Sequence, residues 1–290
     1  MPDFWTHMIG GNMILNELKN ENFLQIIHNN RKIFDFGCQG PDFLFYNDFW
    51  PWIKSKRAPH IGTSLHSSHT KSIFSTSIDY LVKKKQDDEF PLLFSYFCGF
   101  ISHYVVDKWC HPFINVRTEN SSQHKVFEAK IDVYLVNKYW NKNAYKLSPF
   151  EAIDMGKNLP KSIEHFYKEI ILTVLKPSLS IDYVNDSYKD MKKVLKIFYS
   201  PNPLKRLLLN ILNTLLPLDI SIYIYPTEVD YEFLTCEELE EFEALFKQGI
   251  SEGVKLIKLL NSYLSDEVEI QKINESFQNI SFGGEVIRKN

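Results

Sequence analysis

The stretch Gly99–Phe113, GFISHYVVDKWCHPF, decides how the chain is read. His103, Asp107 and His111 recur every four residues among Phe100, Ile101, Val105, Val106 and Trp109. A spacing of four puts all three on one face of a helix. On a helical wheel His103 shares its face with Leu92, Tyr96, Gly99 and Phe100, the apolar side of a helix expected over Glu89–Cys110. A helix apolar nearly all round lies in a core. A carboxylate such as Asp107 cannot sit there alone, because an unpaired buried charge is very costly, and no Lys or Arg shares the face. His111 precedes Pro112, and proline disfavours a helical residue before it. His111 is therefore expected at a frayed helix end, free to turn toward a second metal.

Around this segment helical periodicity dominates the 290 residues. Helices are expected over Asn12–Asn29, Lys71–Lys85, Ser122–Trp140, Pro149–Asp154, Leu159–Leu175, Tyr183–Tyr199, Asn202–Leu215 and Cys236–Leu264. Only DISIYIYP, near Ser221, alternates as a strand would, and weakly. The expectation is an all-α fold, a single multi-helix domain over 1–290 in which 175–290 forms a helical C-terminal extension. Phe34–Thr70, rich in Gly, Pro and aromatics, reads as a long loop over the cleft, with Phe43, Phe45, Tyr46, Trp50 and Trp52 walling it. Leu207–Leu218, LLLNILNTLLPL, reads as a core helix rather than a membrane-surface one.

Composition excludes several classes. Thirty-three basic residues stand against 36 acidic, a formal net charge of −3, so no positive stripe for long nucleic acid is expected. No run of 18 apolar residues suggests a membrane span, and the first residues lack the pattern of a secretory signal. Cys38, Cys98, Cys110 and Cys236 form no CxxC pair and read as reduced, mostly buried thiols. A cytoplasmic protein is the expectation.

Spacing alone does not identify a metal site. About one His-x-x-x-Asp/Glu pair is expected by chance from 9 His and 36 acidic residues, and three occur. His165/Glu169 shares its face with Asn158, Lys161 and Ser162, an ordinary solvated surface. His124/Glu128 has Phe127, Ile131 and Leu135 as neighbours but also Asn120 and Asp132. It follows His111 by thirteen residues, room for a connection and a return helix. Ligand-type residues thus converge from two adjacent helices, and mixed imidazole and carboxylate suit zinc. There is no HExxH, no His-Asp dipeptide, and no Glu-x-x-His of the di-iron bundles.

The ordered set resembles the zinc-dependent phospholipase C family. WTH carries His7, GPD carries Asp42, SLHSSHT carries His66 with His69 as its competitor, HYVVDKWCHP carries His103, Asp107 and His111, and HKVFEAKID carries His124 and Glu128. A weaker echo lies in the late acidic stretch and final helix. The resemblance implies an all-α fold and a zinc cluster, two ions firmly held and at most a third held weakly. Asp42, His66, His103 and Asp107 would hold one, Asp107 bridging to a neighbour that also takes His7, while His111, His124 and Glu128 hold another. It implies phosphodiester hydrolysis by zinc-activated water, with Asp42 and Asp107 central. Partners would be a phospholipid head group or another small phosphodiester, with membrane contact at most peripheral. The fold also serves zinc nucleases and nucleotidases, which is one alternative. A metal-binding protein without catalysis is the other, because the chain departs from the secreted enzymes. Their mature chain starts at a tryptophan whose amine and carbonyl complete one zinc site. Here Trp5 has four residues before it, and Asp3 is the candidate substitute.

Overall fold

The computed structural model describes residues 4–50, 52–54, 57–175, 183–215 and 219–288. Among them thirteen α-helices occur and no sheet: α1 Phe4–Glu17, α2 Leu24–Asn29, α3 Arg31–Gly37, α4 Arg57–Ser67, α5 Thr70–Lys83, α6 Phe90–Asn115, α7 Ser121–Trp140, α8 Pro149–Ala152, α9 Lys161–Ile170, α10 Tyr183–Phe198, α11 Pro203–Leu215, α12 Cys236–Leu264 and α13 Ile270–Ser276. The all-α expectation holds. DISIYIYP forms no strand; Ser221–Tyr223 is a 3-10 turn. Among the described residues the one β contact is an isolated antiparallel bridge, Ile280 with Val286, which closes a hook after α13.

Helix α6 is the axis. It is buried from Leu93 to Asp107, and α1, α2, α3 and α12 pack around it. Its approach to α3 needs two glycines: a Cβ on Gly99 would lie 2.2 Å from the Phe34 carbonyl oxygen, and one on Gly37 would lie 2.2 Å from that of Tyr96. Helix α6 also runs through Pro112 to Asn115. His111 is therefore inside a helix and not at a frayed end. Proline costs a helix one hydrogen bond and some strain, and buried Phe113 and Ile114 on the continuing turn offset both.

The first helix begins eight residues earlier than expected and ends at Glu17, with α2 separate. Gly10, Gly11 and Asn12 have poor helix propensity, but Phe4 to Ile9 are all buried, and packing overrides propensity. Asp132 of α7 supplies the cap from a distance. Its carboxylate accepts from the Trp5 and Thr6 amides at 2.7 Å each and from Thr6 Oγ1 at 2.5 Å. A carboxylate at the first amides also suits the helix dipole.

The long loop is largely ordered structure: α3, a 3-10 turn at Asp42–Tyr46 and α4 occupy most of it. Its aromatics mostly pack inward. Phe43 is buried against Phe36 and Tyr167, Tyr46 faces Phe49, and Trp50 stacks on Trp52, itself 65% exposed. Of the five residues expected to wall the cleft, only Phe45 lines it. The apolar segment after Asn202 departs too. Leu204, Leu207, Leu208, Ile211, Leu212 and Leu215 are exposed, so α11 is not a core helix; Leu216, Pro217 and Leu218 lie outside the described residues. Among the described residues no helix is long and apolar enough to cross a membrane. Cys38, Cys98 and Cys110 are buried and unpaired by disulfide, while Cys236 is exposed.

Candidate metal centre

Four helices and one turn deliver the polar residues to a common point. α1 brings His7, the turn after α3 brings Asp42, α4 brings His66, α6 brings His103, Asp107 and His111, and α7 brings His124 and Glu128. The His7 Nε2 atom lies 3.2 Å from Asp107 Oδ1, and His103 Nε2 lies 3.2 Å from Asp107 Oδ2. His66 Nε2 is 2.8 Å from Asp42 Oδ1, with His103 Nε2 at 3.8 Å from the same oxygen. His111 Nε2 and His124 Nε2 lie 3.5 and 2.7 Å from Glu128 Oε1. Three groups that could each hold an ion result: His7, His103 and Asp107; Asp42, His66 and His103; His111, His124 and Glu128. All eight expected residues are brought together. His103 stands between two groups, and Asp107 Oδ1 is 3.6 Å from His111 Nδ1, next to the third.

The outward nitrogens fix the tautomers. His103 Nδ1 donates to the Cys38 carbonyl at 3.2 Å, His111 Nδ1 to the Phe282 carbonyl at 3.0 Å, and His66 Nδ1 to the Gly62 carbonyl at 2.7 Å. Thr118 Oγ1 spends its proton on the Ile114 carbonyl at 3.0 Å, so it accepts from His124 Nδ1 at 3.3 Å. In each neutral ring the proton is then on Nδ1, and Nε2 turns a lone pair toward a carboxylate. Acceptor facing acceptor is repulsive unless a cation stands between them. Nδ1 bound to a backbone carbonyl is the arrangement that orients a metal-ligating histidine.

Burial sharpens the conflict. His7, His103 and Asp107 are essentially inaccessible to solvent, and His7 Nε2, His103 Nε2, Asp42 Oδ1 and both Asp107 oxygens lack a hydrogen-bond partner. Burial alone would raise the Asp107 carboxyl, but His111, His103 and His7 hold it well below the usual carboxylate range. Burial likewise opposes ionisation of Asp42, and His103 and His66 outweigh it. His111 is pushed down by burial and up more strongly by Asp107 and Glu128, to about 9. Burial and neighbouring His103 hold His7 low, which favours its neutral ring. The site thus demands positive charge. Two ligands of a tetrahedral zinc stand roughly 3.4 Å apart, and four of the separations from a histidine Nε2 to a carboxylate oxygen lie between 3.2 and 3.8 Å. The residues fit zinc.

The remaining histidines stay out. His69 adopts φ 59 ahead of α5 and lines a different groove with Lys71 and Asn279. His165 is exposed, and Glu169 pairs with Lys83. His66 rather than His69 is therefore the group facing Asp42. His66→Ala is expected to lower bound zinc by about one equivalent, and His69→Ala to leave it unchanged, by elemental analysis of both proteins. Asp3 lies outside the described residues. The Trp5 amide donates to Asp132 and is no ligand.

Two contributors were not anticipated. Asp132 fixes α1, and hence His7, and also accepts from the Tyr225 hydroxyl at 2.7 Å. Its signal was present, a carboxylate four residues after Glu128 on the same helix. Asp132→Ala is expected to cost on the order of 3 kcal/mol, since buried amides lose a charged acceptor; chemical denaturation measures it. The second is the hook. Phe282 accepts from His111, donates its amide to the His66 carbonyl at 2.9 Å and packs 4.8 Å from the His66 ring. No spacing rule points from NISFGGEV to a metal site. The groups open into a cleft of about 300 Å³, walled by Phe45 and Phe282, with Thr63, Ser67, Asn115 and Glu285 among its polar lining.

An all-α scaffold whose central helix carries a buried histidine–carboxylate cluster describes a class of metalloprotein. The family model of zinc-dependent phospholipase C matches residues 6–177, more than half of the chain, and the chain belongs to that family. The matched region contains all eight clustered residues; the hook lies beyond it. Searches of curated proteins and of solved structures found no match.

Proposed function

We propose that the chain, working as one unit over 1–290, is a zinc-dependent phosphodiester hydrolase acting on phospholipid head groups. The observation that carries this reading is the set of buried lone pairs aimed at one another across three adjacent groups. His103 has a single free nitrogen and joins one ion only: Asp42, His66, His103 and Asp107 would hold that ion, His7 with the other Asp107 oxygen a neighbouring one, and His111, His124 and Glu128 a third. Bound zinc lowers the pKa of water and neutralises charge on phosphoryl oxygens. The chain's own residues do the rest. Three carboxylates, Asp42, Asp107 and Glu128, leave two or three dications undercompensated, so the cleft attracts an anionic phosphodiester. Phe45 and Phe282 exclude water at its edge, which strengthens the field on the phosphate. The carbonyls of Cys38, Gly62 and Phe282 keep protons on Nδ1 and the ligating nitrogens free.

Elemental analysis of the purified chain should find about two zinc ions retained. Zinc added to chelator-treated protein should raise the melting temperature by roughly 5–10 °C. Less than one equivalent of any transition metal after zinc loading, with no thermal shift, refutes the reading. A panel of a phosphocholine ester, a mononucleotide and single-stranded DNA then identifies the substrate. Turnover of the nucleotide alone would favour a nucleotidase, and metal binding with no turnover a non-catalytic protein.

A further inference from the structure

Helix α11 is amphipathic in the wrong sense for a globular core. Leu204, Leu207, Leu208, Ile211, Leu212 and Leu215 recur at i, i+3, i+4, i+7, i+8 and i+11, the stripe that normally faces inward. Here it faces solvent, from Leu204 at 65% exposed to Leu215 at 72%. The helix meets the protein through its other side. Leu209 is buried, Arg206 donates to the Tyr225 carbonyl at 2.9 Å, Asn213 accepts from the Ile220 amide at 2.6 Å, and Lys205 donates to the Tyr199 carbonyl at 2.5 Å. Polar groups anchor the helix and the leucines are presented outward.

Charge indicates what they meet. Between Asp190 and Asp219 the chain has five basic side chains and no acidic one; Lys205 and Arg206 face the protein and Lys192 pairs with Asp154, which leaves Lys193 and Lys196. Lys193 and Lys196 are exposed. An apolar stripe with basic residues beside it is complementary to an anionic lipid surface, with leucines in the acyl boundary and lysines at the phosphates. Position agrees. α11 packs on the turn Ser221–Tyr223, and Ile222 and Tyr223 share a groove with Asn115 and His124, which also line the metal cleft.

We infer that α11 is a membrane-docking helix that lies in the interface of an anionic phospholipid surface and brings the mouth of the cleft to it. This deepens the reading above by naming the substrate's physical form, a packed lipid layer, and rests on that reading for its link to turnover. Docking itself needs no catalysis, so the two can be tested apart.

The experiment is co-sedimentation with vesicles of equimolar phosphatidylcholine and phosphatidylglycerol, and with phosphatidylcholine alone, at low and high salt. The wild-type chain should bind the anionic vesicles preferentially and more weakly at high salt. The variant L207E/I211E, changed only at exposed positions, should keep its melting temperature and bind about tenfold less. It should hydrolyse a dispersed short-chain phosphodiester as the wild type does and vesicle substrate about tenfold more slowly. Asp107→Asn should bind vesicles like the wild type. Vesicle binding with no turnover of any substrate by the wild type would overturn the hydrolase reading and leave the docking helix standing. Equal binding by wild type and L207E/I211E, or no binding by either, overturns the docking inference. So does a wild-type dimer that ignores vesicles and that L207E/I211E dissociates, which would assign the stripe to a second copy.

Discussion

Asp107→Asn is expected to lower the zinc content and to lower hydrolysis by more than the ~10²–10³-fold that loss of one preorganised polar group costs. Both oxygens of Asp107 are engaged, one 3.2 Å from His7 and the other 3.2 Å from His103, and His111 lies 3.6 Å away. It thus stands within 4 Å of three of the clustered histidines. Asparagine keeps the shape but removes the charge and one acceptor. The fold should survive, because asparagine is close to isosteric with aspartate and the surrounding helix α6 is held by its apolar packing. The metal-free variant should remain folded, and its response to added zinc should shrink. His165→Ala, on the solvated face, should change neither metal content nor rate. A variant that retains full zinc, or that unfolds outright, would show that Asp107 holds the core and not an ion.

Gly40→Ala should have the second-largest effect, although glycine carries no chemistry. Gly40 sits at φ 50, and a Cβ there would lie 2.2 Å from His103 Cδ2 and 2.7 Å from its Nε2. Backbone at positive φ and an overpacked contact together should cost roughly 2–4 kcal/mol. His103 is shared by two of the three groups, so displacing its ring disturbs both. The expected result is a lower melting temperature together with loss of about one zinc equivalent or more. Gly156 is the control. It also has positive φ, but no atom lies within 4 Å of its hypothetical Cβ. Gly156→Ala should destabilise by about 1 kcal/mol and keep the metal. Unchanged metal content in Gly40→Ala would refute the steric argument.

The GPD motif was legible as a source of Asp42, but the reason for its glycine was not, because the clash is with a ring 63 positions later. The same division runs through the molecule. Features set by local spacing could be read: α6 and α12, the His103/Asp107 and His124/Glu128 pairs, and the solvated decoy at His165. Contacts between distant segments could not. Asp132 caps a helix 126 positions earlier, and Phe282 holds a ring 171 positions earlier. Pro112 was misread because its local preference against helix was weighed without the burial of Phe113 and Ile114. The leucines of α11 were misread for the opposite reason. Their periodicity was right, but periodicity does not say whether a stripe turns inward or outward, and here the polar anchors Arg206 and Asn213 decide it.

The hook adds an element of time. During synthesis at roughly 5–20 residues per second, Phe282 emerges on the order of 10–30 s after Glu128. For that interval every ligand-type side chain has been made, yet His111 has no carbonyl to direct its proton and His66 has no ring against it. A nascent chain in this state has a cleft open on one side. The wall that Phe282 forms over the cleft is thus the last part of the site to be made, and it is held to the rest through its contacts with His66 and His111.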